Sequence, residues 1–315
     1  MKNAFFKVGF IGSGNTAKRH AEVIQSFKKY VFTSVFSKNI KNSKNFAKKF
    51  NVKNYFNDIK KFKNKENYDL IIICLPPDKL FKYLKYLINL NTNIFIEKPL
   101  GLNLNDAKKI QNLYKKRKFK KMKFFVGYNR RFLGSVLALK KIISKQSSQR
   151  FIDIQDQQDL LIVKKLGHSS LAIKNWMYLN SIHTIDFFSF LLRGKISKIK
   201  NKIIKFNKSY IVISYINSSS GDIGRYTGYW NIPSNWSVSL INAENNLKLS
   251  PLEKLEIKTK KKIKKFTKFN FDKKYKPGFY CQFKEINKAL ENKKNYAVTI
   301  FDAIKSVKIV NKIYE

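Results

Sequence analysis

The residues of this chain that can do chemistry fall at a few separated points. The first is Gly12-Ser13-Gly14-Asn15-Thr16-Ala17, directly after the apolar run 8–11. Gly12 permits a tight turn out of a strand, Gly14 lets a pyrophosphate approach the backbone, and Ala17 is small where a helix meets a strand. A helix beginning at Asn15–Thr16 aims its first amides and the positive end of its dipole at phosphate oxygens. The second point is Lys98, after the strand-like run 93–96 and before Pro99. Open α/β sheets bind ligands at the carboxyl ends of their strands, and an ammonium there can polarise a hydroxyl and stabilise a developing alkoxide. The third is His183, one of three histidines. Imidazole titrates near neutrality and suits general acid–base work. On a helix, Asn180, His183, Thr184 and Phe187 share a face, with Asp186 one turn beyond His183. Asn180 cannot exchange a proton as a carboxylate does, so it can only position a substrate.

Ser37-Lys38 stands 25 residues after Gly12, at the end of the strand-like run 31–36. An acidic residue here would bind a ribose 2′-hydroxyl. A hydroxyl and an ammonium suit a 2′-phosphate instead, and Asn39 can add a hydrogen bond. The cofactor expected is NAD(P), with NADP preferred.

These residues need strands and helices to hold them. Short strand-like runs at 8–11, 31–36, 68–74, 93–96 and 124–126 alternate with helix-like segments, as in a parallel sheet with right-handed crossovers. A further short strand is expected near 52–55. Residues 68–74 are almost continuously apolar, as in a strand covered on both faces. Helices are expected through Phe46 and Phe50, over 80–90, and over 105–116 with Asn105 as cap. Beyond about residue 128 the pattern changes. Helix is expected over 132–144 and 176–192, strand over 151–163, and strands at 203–206, 210–215, 223–230, 236–241 and 247–249. The last five lack intervening helices, which indicates antiparallel pairing. The Lys run 258–268 reads as a solvated loop or strand edge, and helices return over 279–292 and 298–314. The expected fold is therefore α/β: an N-terminal doubly wound parallel sheet over residues 1–126, then an α/β domain over 127–315 with a large, mostly antiparallel open sheet.

The net charge of +45 resembles a nucleic-acid signal, but only seven of the 65 basic residues are Arg, and the Lys are spread over every segment. No specific nucleic-acid partner is expected. The abundance of Lys, Asn, Ile, Phe and Tyr fits an A+T-rich coding sequence. Cys74 and Cys281 have neither metal-ligand spacing nor a disulfide pattern, so no metal and a reducing, cytoplasmic setting are expected. No signal peptide is read in Met1–Lys7, and no apolar run is long enough to span a bilayer.

Taken together, Gly12-x-Gly14-x-x-Ala17, Glu97-Lys98-Pro99, Gly127-Tyr128-Asn129-Arg130-Arg131-Phe132 and His183-Thr184-Ile185-Asp186 resemble, in this order, the glucose–fructose oxidoreductase/inositol dehydrogenase (Gfo/Idh/MocA) family. Pro251-Leu252-Glu253 and Lys276-Pro277-Gly278-Phe279-Tyr280 are similar to second-domain sequences of some sugar-modifying members. The resemblance implies a Rossmann domain followed by a substrate-binding domain whose open sheet serves homo-oligomerisation. It also implies hydride transfer between a nicotinamide and a hydroxyl or keto group of a sugar, nucleotide sugar or cyclitol. It assigns catalysis to Lys98, His183 and Asn180. Cofactor binding falls to Gly12, Ser13, Gly14, Asn15, Thr16, Ser37, Lys38, Leu75, Pro76, Glu97 and Lys98. Substrate contacts fall to Tyr128, Asn129, Arg130, His168, Asn180 and His183. His20 is assigned a structural part. The sequence departs from the family in two places: Asn180 and Leu179 stand where members often carry Asp, and Leu80 stands where a His usually follows the Leu75-Pro76-Pro77 loop. The first departure leaves open a second reading, a dinucleotide-binding sensor that has lost turnover.

Overall fold

The computed structural model describes residues 5–267 and 269–315; Met1–Ala4, where the leader reading began, and Lys268, the last of the Lys run, lie outside them. The chain divides into two compact units, one of residues up to Tyr128 with Phe279–Ile304, the other of Asn129–Gly278 with Lys305–Glu315.

In the first unit, β1 (Phe6–Ile11), β2 (Tyr30–Phe36), β3 (Asn54–Phe56), β4 (Leu70–Ile73), β5 (Asn93–Ile96) and β6 (Phe124–Val126) form a parallel sheet in the order β3-β2-β1-β4-β5-β6. Between them run α1 (Asn15–Gln25), α2 (Ile40–Phe50), α3 (Ile59–Lys65), α4 (Pro77–Leu87) and α5 (Leu104–Lys115). The order reverses beside β1, which puts the carboxyl ends of β1 and β4 at the switch point where such sheets bind ligands. Every residue of β4 is buried, as its unbroken apolar run requires. Phe46 and Phe50 lie on the buried face of α2. The cap of α5 is Asn103 rather than Asn105: its side chain accepts from the Asp106 amide at 3.0 Å. The short Lys-rich α3, anchored by buried Phe62 and capped by Asp58, was not foreseen.

The second unit begins with a 3₁₀ turn, Asn129–Phe132, and α6 (Gly134–Ile143). β7 (Phe151–Gln158) stops five residues short of the expected Val163, because Asp159 caps α7 (Leu160–Lys165) by accepting from the Leu161 and Ile162 amides. After α8 (Ser170–Lys174), the expected single helix over 176–192 is two pieces, a π-helical turn at Met177–Ser181 and α9 (Ile182–Leu191). β8 (Ile196–Phe206), β9 (Ser209–Ser218), β10 (Ile223–Trp230), β11 (Ser237–Ile241), β12 (Asn246–Leu249), β13 (Leu255–Lys258) and β14 (Ile263–Phe266) join β7 in the order β14-β13-β12-β11-β7-β10-β9-β8. All pairs are antiparallel except β7 with β10. Part of the Lys run is thus the edge strand β14, whose four residues are all exposed.

The short α10 (Asn270–Lys274) precedes α11 (Phe279–Leu290) and α12 (Ile300–Tyr314). The sequence reading gave everything after residue 126 to the second domain. Residues 279–304 instead group with the first unit. The apolar face of α11 needs cover and finds it on α1: Phe279 stacks on His20 and Phe283 meets Phe27 edge-on. The Val298 carbonyl then accepts from the Val126 amide at 2.9 Å, beside β6.

Candidate active site

The turn after β1 is built for an anion. Gly12 has φ +98°, and a Cβ there would run into the Cys74 carbonyl oxygen. Gly14 is the N-cap of α1 in an extended conformation, and a Cβ on it would meet nothing within 4 Å. No side chain caps this helix, and its first turn carries no acidic residue. A helix start leaves its first amides without intrahelical acceptors. The first amides of α1 thus carry no side-chain cap, and the space beside Gly14 leaves room for a pyrophosphate to approach them. Ser13 is buried, whereas Asn15 is exposed.

Three further loops lie at the carboxyl end of the sheet, after β2, β4 and β5. Ser37 is half-buried and Lys38 exposed after β2, and neither position carries a carboxylate. Asn39 spends its side-chain oxygen on the Lys41 amide at 2.9 Å as the cap of α2, so that oxygen is not offered to a ribose. After β4, Pro76 is the N-cap of α4 and Pro77 its first residue, which holds Leu75 at the strand end. Glu97 and Lys98 follow β5, both half-buried. The Glu97 amide donates to the Ile73 carbonyl at 2.9 Å, and its carboxylate meets His20 Nε2 at 2.6 Å. His20 is 3% exposed, between Phe279 and Phe95. A Cβ on Gly127 would come within 3.1 Å of the Glu97 carboxyl carbon. Glu97 is thus engaged by a buried histidine, and the pair fixes the backbone that carries Lys98.

In the second unit, the motif after β6 is mostly scaffold. Asn129 is buried and donates from Nδ2 to the Pro277 carbonyl at 2.9 Å. Arg130 pairs with Glu253 at 2.6 Å and lies over the Trp236 ring. Arg131 holds Asp186 through two nitrogens, one at 2.7 Å, and Ser306 Oγ also donates to that carboxylate. Asp186 therefore braces α9 and leaves His183 to other neighbours. Tyr128, in the first unit, is 2% exposed with its hydroxyl 3.4 Å from the Ala303 carbonyl. These positions suit holding the fold more directly than touching a substrate. His183 and Asn180 are half-buried, whereas Thr184 and Phe187 are fully buried. His168 is exposed, with its ring edge-on to Trp176.

Residues 6–128 match the family model described as "Oxidoreductase family, NAD-binding Rossmann fold", the Gfo/Idh/MocA family. The match covers less than half of the chain and agrees with the resemblance carried by its motifs. A curated relative, Oxidoreductase P35 of Formosa agariphila, is 23% identical over 184 residues, covering 57% of this chain and 55% of that protein. The chain thus spans about half the length of the curated relative it matches. Among solved structures, an NAD-binding oxidoreductase from Klebsiella pneumoniae superposes with a TM-score of 0.83 at 15% identity, covering 99% of this chain and 96% of its own. A scyllo-inositol dehydrogenase from Lactobacillus casei gives 0.75 at 17%, covering 99% and 96%. At such identities the superpositions speak for the fold.

Sequence reading missed the polar cluster on β7. Gln158 Nε2 donates to Asp156, and Gln158 Oε1 accepts from Asn180 Nδ2 at 2.9 Å and Trp176 Nε1 at 2.8 Å. Asp156 also accepts from the Tyr226 hydroxyl at 2.7 Å. Burial pushes the Asp156 carboxyl up to about 6 despite these donors. Burial, with the Asp156 charge nearby, pushes the Tyr226 and Tyr314 hydroxyls well above their ordinary value. The only sequence signal was a strand alternating Ile-Asp-Ile-Gln-Asp-Gln-Gln, polar on both faces at its end. Among the described residues, no helix is long and apolar enough to cross a membrane.

Proposed function

We propose that this chain is a cytoplasmic NAD(P)-dependent oxidoreductase that moves a hydride between a nicotinamide and a hydroxyl or keto group of a sugar, nucleotide sugar or cyclitol. The observation that carries the reading is the uncapped start of α1 beyond Gly14, at the switch point of a doubly wound sheet. The residues present fit a dinucleotide: an open approach at Gly14, helix-start amides without a side-chain cap, and no acidic residue in the first turn to repel phosphate. The nicotinamide supplies hydride acceptance and donation when bound. Gly12, Ser13, Gly14, Asn15 and Thr16 hold the phosphates in this reading, and Leu75, Pro76 and Glu97 shape the strand ends around the ring. Ser37 and Lys38 favour a 2′-phosphate, hence NADP, since a carboxylate is missing where a 2′-hydroxyl would need one.

For the reacting hydroxyl, the reading gives Lys98 the task of stabilising alkoxide character and His183 that of collecting the proton. Asn180 orients the substrate in this reading, and His168 is a further substrate contact. The scyllo-inositol dehydrogenase fold supports a polyhydroxy substrate as the first class to test. Homo-oligomerisation through the eight-stranded sheet belongs to the same proposal. Its open face aligns Ile223, Phe151 and Ile241 on three adjacent strands, and Ile223 and Ile241 are 38% and 37% exposed. The test is a fluorescence titration with NADPH and NADH, followed by a turnover assay over sugars, nucleotide sugars and cyclitols. Saturable binding with reduction of NADP⁺ by at least one polyol is the expected result. Dinucleotide binding without turnover of any would move the chain to the sensor reading, and absence of binding would end both.

A further inference from the structure

Asn180 is not interchangeable with an isosteric carboxylate, because the second unit fixes which way its amide points. Gln158 lies between a group that only accepts and one that only donates. An ionised Asp156 can only accept, so Gln158 must turn Nε2 toward it. Trp176 Nε1 can only donate, so Gln158 must turn Oε1 toward it, at 2.8 Å. The two requirements agree and exclude the flipped amide. Asn180, 2.9 Å from the same Oε1, must then present Nδ2 to Gln158 and its Oδ1 elsewhere.

The far side of Asp156 is equally directional. Trp230 Nε1 donates to the Tyr314 hydroxyl at 3.1 Å, the Tyr314 and Tyr226 hydroxyls are 2.7 Å apart, and Tyr226 donates to Asp156 at 2.7 Å. Since Tyr226 gives its proton to Asp156, it must accept from Tyr314. A Cβ on Gly228 would fall 2.9 Å from the Tyr226 oxygen and 3.1 Å from that of Tyr314, so the glycine leaves room for the pair. Tyr226 on β10 and Gln158 on β7 thus donate directly to one carboxylate, and Tyr314 on α12 reaches it through Tyr226.

We infer that Asp156 and Gln158 are positioning residues that lock Asn180 as a hydrogen-bond acceptor for substrate, and that position 180 of this chain cannot hold a charged carboxylate. The substrate group meeting Asn180 must therefore be a donor, a hydroxyl or an N–H, rather than a carbonyl or carboxylate. This specificity statement rests on the proposed substrate site. The lock itself does not, and stability reads it without any substrate.

In Asn180→Asp, a carboxylate oxygen would face Gln158 Oε1 with no proton between them. Turning Gln158 over would set Nε2 against Trp176 Nε1 and Oε1 against Asp156. The variant should lose about 2–6 °C in Tm at pH 8, the shift expected from one buried unsatisfied pair. Most of that loss should return at pH 5, where the introduced carboxylate takes up a proton. Each loss is read against wild type at the same pH, because Asp156 itself takes up a proton at about 6. The other titratable groups facing Asp156 are Tyr226 and Tyr314, both held protonated across this range. In a Gln158→Leu background the opposing oxygen is gone, and Asn180→Asp should cost at most about 1–2 °C, the spread of a harmless change. Equal loss in both backgrounds, or none at pH 8, would overturn the lock.

Should Asn180→Asp fail to fold, an exchange of carboxylate and amide decides. Gln158→Glu alone sets two carboxylates together, and Asp156→Asn alone leaves a donor facing Tyr226. The double variant D156N/Q158E keeps an acceptor for Asn180 and Trp176 and a donor between 156 and 158. It should be more stable at pH 8 than Gln158→Glu by several degrees. A double variant no better than its worse parent refutes the lock. Turnover failing while these stability results hold would sink the enzyme reading and leave the lock standing.

Discussion

Two neighbouring glycines separate the fold of the phosphate turn from its use. At Gly12 the backbone sits at φ +98°, and an added Cβ collides with the Cys74 carbonyl. Gly12→Ala should destabilise the first unit by at least about 2 kcal/mol, from left-handed strain and a displaced strand end. At Gly14 the backbone is ordinary extended chain and the space in front is empty. Gly14→Val should cost the fold no more than about 1 kcal/mol, the difference between glycine and a β-branched residue at an N-cap. Its two methyl groups nonetheless occupy the path to the α1 amides. Losing one or two charge-assisted hydrogen bonds, at about 1.5–3 kcal/mol each, raises Kd by about tenfold to 10⁴-fold. The assay is NADPH fluorescence titration beside thermal unfolding, on wild type and both variants. The expected pattern is a stable Gly14→Val that no longer binds and an unstable Gly12→Ala. Wild-type affinity in a folded Gly14→Val would refute the placement of the pyrophosphate at α1.

Lys98→Met should reduce turnover by at least about 10²-fold while NADPH affinity stays within a few-fold of wild type, measured by steady-state kinetics and titration. Ser37→Asp with Lys38→Ala should shift the NADPH/NADH affinity ratio toward NADH by about tenfold or more, because the carboxylate repels a 2′-phosphate and bonds a 2′-hydroxyl; a wild type that already prefers NADH would sink the reading of this loop. His183→Ala should lower kcat by about 10²-fold and remove the acidic limb of the kcat/KM profile, and unchanged turnover would take His183 out of the mechanism. Asp156 gives a pH signature of its own. Its folded value of about 6 lies above the unfolded carboxylate value, so the stability it confers is complete below about pH 4 and is lost as pH rises through 6. The difference is about 3 kcal/mol, and denaturant titrations between about pH 4.5 and 8 should show a slope that Asp156→Asn flattens.

What the sequence reveals depends on whether a signal is local. The parallel sheet was legible because 70–73 and 94–96 are unbroken apolar runs that no half-exposed strand would carry. The end of β7 was not, because 160–163 is apolar and fits either period until Asp159 is seen to cap a helix. Asn103 and Asn105 are chemically equal caps, and only the position of the Asp106 amide chooses between them. The anion turn could be nominated from residue type and spacing, whereas Lys98 and His183 stood out only through the motifs that carry the family resemblance. The residues that hold them could not be nominated. Glu97 finds His20 across 77 positions, and Asp156 finds Tyr226 across 70, so nothing near either residue in the chain advertises its partner.

The basic composition reads differently once partners are known. Lysine has been used nearly everywhere a surface cation suffices, yet seven arginines remain. Most sit where a planar fork is needed. Arg131 grips Asp186 with two nitrogens, Arg225 grips Asp153 likewise, and Arg193 holds buried Asp222 while reaching the Ser147 and Ser148 carbonyls. Arg117 and Arg150 each bridge two backbone carbonyls. A lysine ammonium offers no fixed fork and cannot span such pairs, so these sites resist the drift that fills the rest of the surface. The +45 charge is thereby mostly solvated lysine, without the arginine clusters that nucleic-acid recognition would use. What that field can do is draw anions in. In the proposed reading, a dinucleotide phosphate nearing the α1 turn would be attracted at long range, and the uncapped amides beyond Gly14 would take over at contact.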